Sequence, residues 1–315
     1  MDRNIGLEFV RVTEAAAIAA SEHIGSGDKK EADRAATEAM RREFNFVGIS
    51  GTVVIGEGER DEAPMLYIGE KVGSGGLELD IAVDPLECTN SVADGGSNSL
   101  AVIAAGRTGK LLKAPDTYMW KLAVGPRAAN AIDLTKPVAD NLNNIAAALG
   151  KTIDRLVVVI LRRDRHKELV EEVRATGARI HFIEDGDVAG AIATALPDSP
   201  VDVLYNIGAA PEGVLAAAAL RCMGGAIQAK FVWKDEAQIQ RAKSMGITDP
   251  DKIYTTDELA GGDVIFAATG ITAGDLLQGV RAERQFTMTH SIIGRSKSGT
   301  VRLMETRHNF GKHNS

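Results

Sequence analysis

The chain has 315 residues, 44% of them hydrophobic and 25% charged, so it is long enough for one large globular domain or two ordinary ones. This composition excludes fibrous, low-complexity and generally disordered chains. The net charge of −7 and the aromatic content of 4% argue against a surface for nucleic acid or for an anionic membrane, so neither partner is expected. Two cysteines cannot form a disulfide framework, and the start of the chain lacks a secretory signal, which together predict a cytoplasmic protein.

Two helices are predicted at the beginning of the chain. Apolar residues recur at helical spacing over residues 7–24, and a segment rich in glycine and charge interrupts the pattern at 25–30. Asp28 suits the N-cap of a second helix that runs to about Phe44. The chain therefore begins with a predicted helical hairpin.

Short apolar runs after Gly51 predict strands at residues 52–55, 79–83 and 100–104. From Lys151 onward, strands and helices alternate at the spacing of βαβ units. We therefore expect an N-terminal domain over residues 1–150 and a C-terminal domain over residues 151–315, packed with a cleft between them.

In the C-terminal part, the predicted strands are 156–161, 179–183, 201–207, 227–233 and 263–268, and the predicted helices are 166–176, 188–196, 211–222 and 236–244. A β-hairpin is predicted over 286–308 with its turn at 296–299, and the tail 309–315 is expected to fray. The longest strongly apolar run, 156–161, is far shorter than the roughly 18 to 20 residues that span a bilayer.

Acidic residues are concentrated at the ends of predicted strands, where open α/β sheets usually place their sites. The first cluster follows the strand 52–55 and contains Glu57, Glu59, Asp61 and Glu62. Such a run of charge is also typical of a solvated face, so composition alone leaves both interpretations open.

The second acidic cluster follows the strand 79–83. Asp84 stands at the end of this strand, and Glu87 is placed three residues later on a predicted turn. Carboxylates in this arrangement suit hard cations such as Mg²⁺ or Mn²⁺. If the N–H groups of Cys88 and Thr89 open a helix, they also point at an anion such as phosphate.

Four motifs occur in a fixed order along the chain: Ile55-Gly56-Glu57-Gly58-Glu59, Asp84-Pro85-Leu86-Glu87-x-Thr89, Asp185-Gly186-Asp187 and Gly208-Ala209-Ala210-Pro211-Glu212-Gly213. In this combination the chain resembles the class II fructose-1,6-bisphosphatases, a branch of the metal-dependent, lithium-sensitive sugar and inositol phosphatases. The resemblance runs from about residue 5 to residue 308. It implies a layered α/β/α/β/α sandwich of two sub-domains, with the active site in the cleft between them.

The resemblance also implies the activity. Family members use Mg²⁺ or Mn²⁺ to hydrolyse the 1-phosphate of fructose 1,6-bisphosphate, which gives fructose 6-phosphate in gluconeogenesis. They form dimers or tetramers, so a homo-oligomer is expected here. Related phosphatases act on sedoheptulose 1,7-bisphosphate or on inositol phosphates, and these substrates remain alternatives.

The family's metal-binding acids correspond to five residues spread over most of the chain: Asp33, Glu57, Asp84, Glu87 and Glu212. Thr89 corresponds to the hydroxyl that orients the attacking water, and an ordinary helix cap is the alternative for this residue. A threonine hydroxyl is a weak base, so the proton must pass to a carboxylate, for which Glu57 and Asp61 are the catalytic candidates.

The family's loop for the distal phosphate corresponds to Arg163, Asp164 and Arg165, and the planar fork of arginine suits phosphate oxygens. A solvated basic turn is the alternative, and Tyr118 could equally be a half-buried core aromatic residue. The other implied substrate-binding residues are Lys29, Glu87, Cys88, Thr89, Tyr118, Asp185, Gly186, Asp187 and Ala209.

This chain departs from the family pattern at Cys88, where relatives have glycine. A negative φ would accommodate the cysteine, whereas a positive φ would strain the loop by roughly 1 to 3 kcal/mol. If that change abolished catalysis, the chain would be a sugar-phosphate-binding protein instead of an enzyme. The phosphate loop also lacks the proline found in many members, which removes a source of rigidity.

Overall fold

The computed structural model describes residue 1, residues 4–58 and residues 63–309. Its contacts separate the chain into two compact units, the first consisting of Met1–Gly109 with Asp263–Ser315, and the second of Lys110–Gly262. Each unit is built on one mixed β-sheet, and the described residues form nine α-helices. The predicted α/β class is confirmed, whereas the five-layer sandwich and its cleft stay predictions.

The strands are β1 (Ile49–Ile55), β2 (Lys71–Val72), β3 (Leu77–Glu87), β4 (Leu100–Arg107), β5 (Tyr118–Val124), β6 (Val157–Leu161), β7 (Arg179–Ile183), β8 (Val203–Ala209), β9 (Ala226–Val232), β10 (Ile253–Thr255), β11 (Val264–Gly270), β12 (Arg281–Ala282), β13 (Thr287–Arg295) and β14 (Thr300–His308). The helices are α1 (Ile5–Ser21), α2 (Lys29–Phe44), α3 (Thr89–Asp94), α4 (Val138–Leu149), α5 (Lys167–Ala175), α6 (Asp187–Ala193), α7 (Ala210–Met223), α8 (Glu236–Ser244) and α9 (Thr256–Leu259). Short 3₁₀ turns occur at Pro126–Ala128, Ile153–Arg155 and Asp164–His166.

The sheet of the first unit has the strand order β12-β13-β11-β4-β3-β1-β2, with β14 paired to β13. Only β1 and β3 run parallel among its neighbouring strands in the described residues. The predicted helical hairpin is confirmed, because Asp28 accepts a hydrogen bond from the Glu31 N–H at 3.1 Å and begins α2. Both helices bury their apolar stripes in the same core, in which Phe9, Met40 and Phe44 are fully enclosed.

The sheet of the second unit has the order β10-β9-β5-β8-β6-β7. Strand β6 is parallel to both β7 and β8, so the predicted βαβ pattern is confirmed for these three strands. The central strand β5, however, is antiparallel to β8 and β9 and was not predicted. Lys121 interrupts the apolar run of β5, so the sequence does not show the pattern of a buried strand there.

The division predicted at residue 150 differs from the one that the contacts give. Strand β5 belongs to the second sheet although it precedes residue 150, and β11 to β14 belong to the first sheet although they follow it. The sequence pattern could not reveal this exchange, because strand pairing across such distances is set by tertiary contacts.

The second unit is inserted between two neighbouring strands of the first sheet. In that sheet β4 pairs directly with β11, with Gly106 opposite Val264. Within the second unit, the Gly261 N–H donates to the Lys110 carbonyl at 2.7 Å, so the two ends of the insertion lie side by side. The chain thus leaves the first unit and returns to it at one place.

Candidate active site

Strand β3 carries a β-bulge at the predicted acidic turn. Asp84 pairs with Val102 and Glu87 with Leu100, so three steps along β3 match two along β4. The Asp84 carboxylate accepts a hydrogen bond from the Leu86 N–H at 3.1 Å, which holds the bulge. Glu87 is buried and ends the strand, so its predicted place on a turn is wrong.

The backbone turns at Cys88, whose φ of 68° and ψ of 51° lie in the left-handed region. Cys88 is the N-cap of α3, so the expected helix opening at Thr89 is confirmed. Of the negative and the positive φ considered for this position, the structure has the positive one. An L-residue in this conformation costs about 1 to 2 kcal/mol. Glycine, the residue that the family resemblance implies here, would adopt this conformation without that cost.

Replacing Cys88 with glycine should raise the free energy of unfolding by about 1 kcal/mol, because relief of the strain exceeds the loss of one small buried side chain. Urea denaturation measures this change. The matched control is Cys222→Gly in the buried part of α7, where φ is helical and the same substitution should destabilise the protein by about 2 kcal/mol. A lower stability in both variants would contradict the strain at Cys88.

Thr89 is the first residue of α3 and is half-buried. Its hydroxyl donates a hydrogen bond to the Leu86 carbonyl at 3.3 Å. This bond uses the hydroxyl proton and leaves the oxygen as an acceptor. Thr89 is therefore able to accept a hydrogen bond from a water molecule, although an ordinary capping role would produce the same internal contact.

Asp33 and Glu57 form a pair of interacting carboxylates in the first unit. Glu57 follows β1, and Asp33 lies in the first turns of α2. Burial and the negative charge of Asp33 raise the pKa of Glu57 to about 7, and burial raises the pKa of Asp33. Lys29 begins α2 and is exposed, whereas the predicted catalytic Asp61 lies outside the described residues.

The donor chemistry of this pair fits a hard divalent cation. Two partly buried carboxylates that repel each other need positive charge, and oxygen ligands are what Mg²⁺ and Mn²⁺ prefer. In the part of the chain that the structure describes, no group of three or more acidic, histidine or cysteine side chains is arranged to hold a metal. Glu212 lies in the second unit, so the five predicted ligands are not gathered within one unit.

The remaining predicted residues lie at one edge of the second sheet. The parallel strands β6, β7 and β8 end there and lead into the segments with the predicted side chains. Strand β5 begins at the same edge, because Tyr118 pairs with Ala209 at the end of β8. The residues brought to this edge are Tyr118, Arg163, Asp164, Arg165, Asp185, Gly186, Asp187, Ala209 and Glu212.

Arg165 and Tyr118 pack against each other. The guanidinium carbon lies 4.8 Å from the centre of the tyrosine ring, and Tyr118 remains 47% exposed. Tyr118 is thus about half exposed at this edge of the second sheet, and its substrate-binding role stays a prediction. Asp164 instead forms an exposed ion pair with Lys167 at 3.1 Å.

Arg163 lies close to the loop after β7. Burial raises the pKa of Asp185, and the positive charge of Arg163 partly offsets that effect. Gly186 adopts a φ of 86° and caps α6, whose first residue is the buried Asp187. The predicted phosphate loop and the predicted sugar-binding loop are therefore neighbours within the second unit.

A buried ion pair joins β5 to the first residue of α6. Lys121 Nζ donates to Asp187 Oδ2 at 2.7 Å, with both side chains almost fully enclosed. Burial raises the pKa of Glu212 to about 7, Lys121 acts to lower it, and Asp187 acts to raise it. Lys121 thus donates a hydrogen bond to Asp187 and acts electrostatically on Glu212, although the resemblance did not include it in the site.

The sequence contained one signal for Lys121. A single lysine inside the run 118–124, which is otherwise mostly apolar, is unusual for a buried strand and indicates a buried partner. His166, which follows the predicted phosphate loop, is 1% exposed, and nothing in its spacing predicts that its ring is buried.

Within the described residues, no helix has the length and the apolar composition needed to cross a membrane. The model of the family described as bacterial fructose-1,6-bisphosphatase, glpX-encoded, matches residues 3–308. The chain is 49% identical to fructose-1,6-bisphosphatase 1 class 2 of Escherichia coli K12, over 98% of this chain and 96% of that protein.

It is also 47% identical to a protein of Synechococcus elongatus named D-fructose 1,6-bisphosphatase class 2/sedoheptulose 1,7-bisphosphatase, over 98% of this chain and 97% of that protein. The acidic and basic loops thus belong to a phosphoric monoester hydrolase. The chain is a member of the class 2, glpX-encoded fructose-1,6-bisphosphatase family.

Proposed function

We propose that the chain hydrolyses the 1-phosphate of fructose 1,6-bisphosphate to fructose 6-phosphate and phosphate, as a step of gluconeogenesis. The observation that carries this proposal is the 49% identity, over nearly the whole length of both chains, to a protein named fructose-1,6-bisphosphatase 1 class 2. The arrangement of chemical groups within each unit supports it.

In the first unit, we assign the reacting phosphate to the residues around the β3 bulge and α3. Asp33, Glu57, Asp84 and Glu87 are the residues of this unit that would hold the metal. Divalent metal ions bound there would reduce the charge of the phosphate and the pKa of a bound water.

The protein itself would orient that water through Thr89 Oγ1, since the hydroxyl proton is engaged by the Leu86 carbonyl. The proton of the water would pass to a carboxylate, with Glu57 and Asp61 as candidates. Lys29 and the N–H groups of Cys88 and Thr89 would bind the phosphate oxygens.

In the second unit, we assign the sugar and its distal phosphate to the edge where β6, β7 and β8 end. Arg163 and Arg165 carry fixed positive charge and planar N–H pairs that match phosphate oxygens. Asp185 and Asp187 would accept hydrogen bonds from sugar hydroxyls, and Tyr118 would cover the sugar beside Ala209. Their proximity within one unit supports this assignment.

Phosphate release from fructose 1,6-bisphosphate tests the proposal directly. The assay compares protein with added Mg²⁺, with added Mn²⁺ and with EDTA. Turnover that depends on the metal and stops with EDTA is the expected result, because carboxylates alone cannot neutralise the phosphate. Turnover that is unchanged in EDTA would reject the metal-dependent mechanism, and absence of turnover with either ion would reject the substrate.

A second candidate substrate is sedoheptulose 1,7-bisphosphate. The name of the Synechococcus relative, at 47% identity, favours it. Comparison of kcat/KM for the two bisphosphates and for an inositol monophosphate decides among them. We also propose a homo-oligomer, a dimer or a tetramer, which light scattering measures.

A further inference from the structure

The strands β6 and β8 pair only at their beginnings. Val158 lies opposite Val203 and Val159 opposite Leu204, and the described pairing stops there. Further along, the ring of His166 takes the place of the missing ladder. Its Nδ1 lies 2.7 Å from the Leu161 carbonyl, and its Nε2 accepts the Ile207 N–H at 2.7 Å.

Leu161 and Ile207 also accept hydrogen bonds from the turn that precedes His166. The Leu161 carbonyl accepts the Arg163 N–H at 2.9 Å. The Ile207 carbonyl accepts Nε and Nη2 of Arg165 at 3.0 and 2.8 Å. One buried ring and one guanidinium therefore fasten the turn 163–165 to both strands.

The hydrogen bonds determine the protonation of His166. The Ile207 N–H is a donor, so Nε2 must carry a lone pair, and Nδ1 must carry the proton that it donates to Leu161. The ring is therefore neutral. Burial, then the positive charges of Arg165 and Arg163, lower the pKa of His166 and keep this state.

We propose that His166 is a positioning residue for the distal phosphate: its neutral ring bridges Leu161 and Ile207 and thereby fixes the turn that presents Arg163 and Arg165. The proposal rests on the proposed function, because it takes these arginines as the phosphate ligands. Arg165 uses two of its five N–H donors on Ile207, and its stacking on Tyr118 fixes the plane of the remaining donors.

Protonation of the ring would break the bridge. A proton on Nε2 would make this nitrogen a donor, and it would then face a second donor, the Ile207 N–H. Because the pKa of the ring is lowered, half of the rings are protonated only at a pH below the ordinary pKa of histidine, and binding through the turn weakens as the pH falls through the lowered pKa. Phosphate itself titrates near pH 6, so the comparison must be made against a variant that lacks the titrating ring.

The experiment uses His166→Leu and His166→Gln, with His290→Gln as the matched control on the hairpin of the first unit, where His290 contacts Glu305. KM and kcat are measured for fructose 1,6-bisphosphate and for fructose 1-phosphate, which lacks the distal phosphate. We expect His166→Leu to raise KM for the bisphosphate about tenfold more than KM for the monophosphate, with little change in kcat. The control should behave as the wild type.

Glutamine offers one acceptor and a donor but does not titrate, so His166→Gln should retain most of the affinity. As the pH falls from about 7.5 through the lowered pKa of His166, its KM for the bisphosphate should rise less than that of the wild type. If His166→Leu does not fold, this pH comparison decides the question. Equal losses for both substrates, or identical pH profiles of His166→Gln and wild type, would overturn the positioning role.

Crystal structures of both variants test the turn without any substrate. A displaced turn 163–165 in His166→Leu, restored in His166→Gln, supports the proposal, and an unmoved turn contradicts it. The two proposals can fail separately. If the wild type hydrolyses neither sugar phosphate, the proposed function is rejected. A displaced turn in His166→Leu would still show that His166 positions the turn.

Discussion

Replacing Lys121 with methionine should lower the free energy of unfolding by about 3 to 5 kcal/mol. Lys121 is 0% exposed and donates to Asp187, which is 5% exposed. Methionine has a similar length and is apolar, so packing changes little and the loss reports the missing charge. Asp187 is left without its cation, and the buried Glu212 loses the positive charge that acts to lower its pKa.

Urea denaturation of wild type and variant measures this loss. Lys151→Met is the matched control, because Lys151 pairs with Asp202 at 2.5 Å but is 37% exposed, and its removal should cost less than about 1 kcal/mol. The double variant Lys121→Met/Asp187→Asn should recover part of the loss, since it also removes one buried charge. A loss at Lys121 no larger than at Lys151 would show that the buried pair is not important for stability.

Replacing Thr89 with alanine should reduce kcat for fructose 1,6-bisphosphate by about 100-fold to 1000-fold while KM changes little. The hydroxyl is proposed to act on the attacking water and not on the bound sugar. Its internal bond to Leu86 spans 3.3 Å, so its loss should cost stability no more than about 1 kcal/mol.

Thr89→Ser keeps a hydroxyl and should restore most of kcat. Thr176→Ala is the matched control, because Thr176 makes the same kind of bond, to the carbonyl of Val173 three residues earlier, at the end of α5. Near-normal kcat in Thr89→Ala would mean that the hydroxyl only caps α3, and the water would then need another partner.

Local features of the fold could be predicted because their causes are local. Asp28 was identified as the start of α2 from a capping residue followed by a helical pattern, and the structure has the same cap. The bounds Arg179–Ile183 and Glu236–Ser244 also agree with the prediction. Strand β5 was missed because one charged residue breaks its apolar pattern, and the ion pair that explains Lys121 exists only in the folded chain.

The candidate site was predicted through the resemblance and not through spacing. The interacting carboxylates Asp33 and Glu57 are separated by a helix and a strand, and no local pattern connects them. Cys88 adopts its left-handed conformation directly after the bulge in β3, and the sequence could only state two alternatives for it. The bridging role of His166 depends on where two strands part, which only the sheet registers reveal.

The insertion of the second unit has a consequence for biosynthesis. Strand β4 emerges from the ribosome well before its partner β11, and the whole segment Lys110–Gly262 is made in between. Closing an unfolded loop of that length would cost about 4 kcal/mol. A second unit that folds first brings its own ends together and removes most of that cost. We therefore expect the second unit of a nascent chain to become resistant to proteolysis before the first sheet is complete.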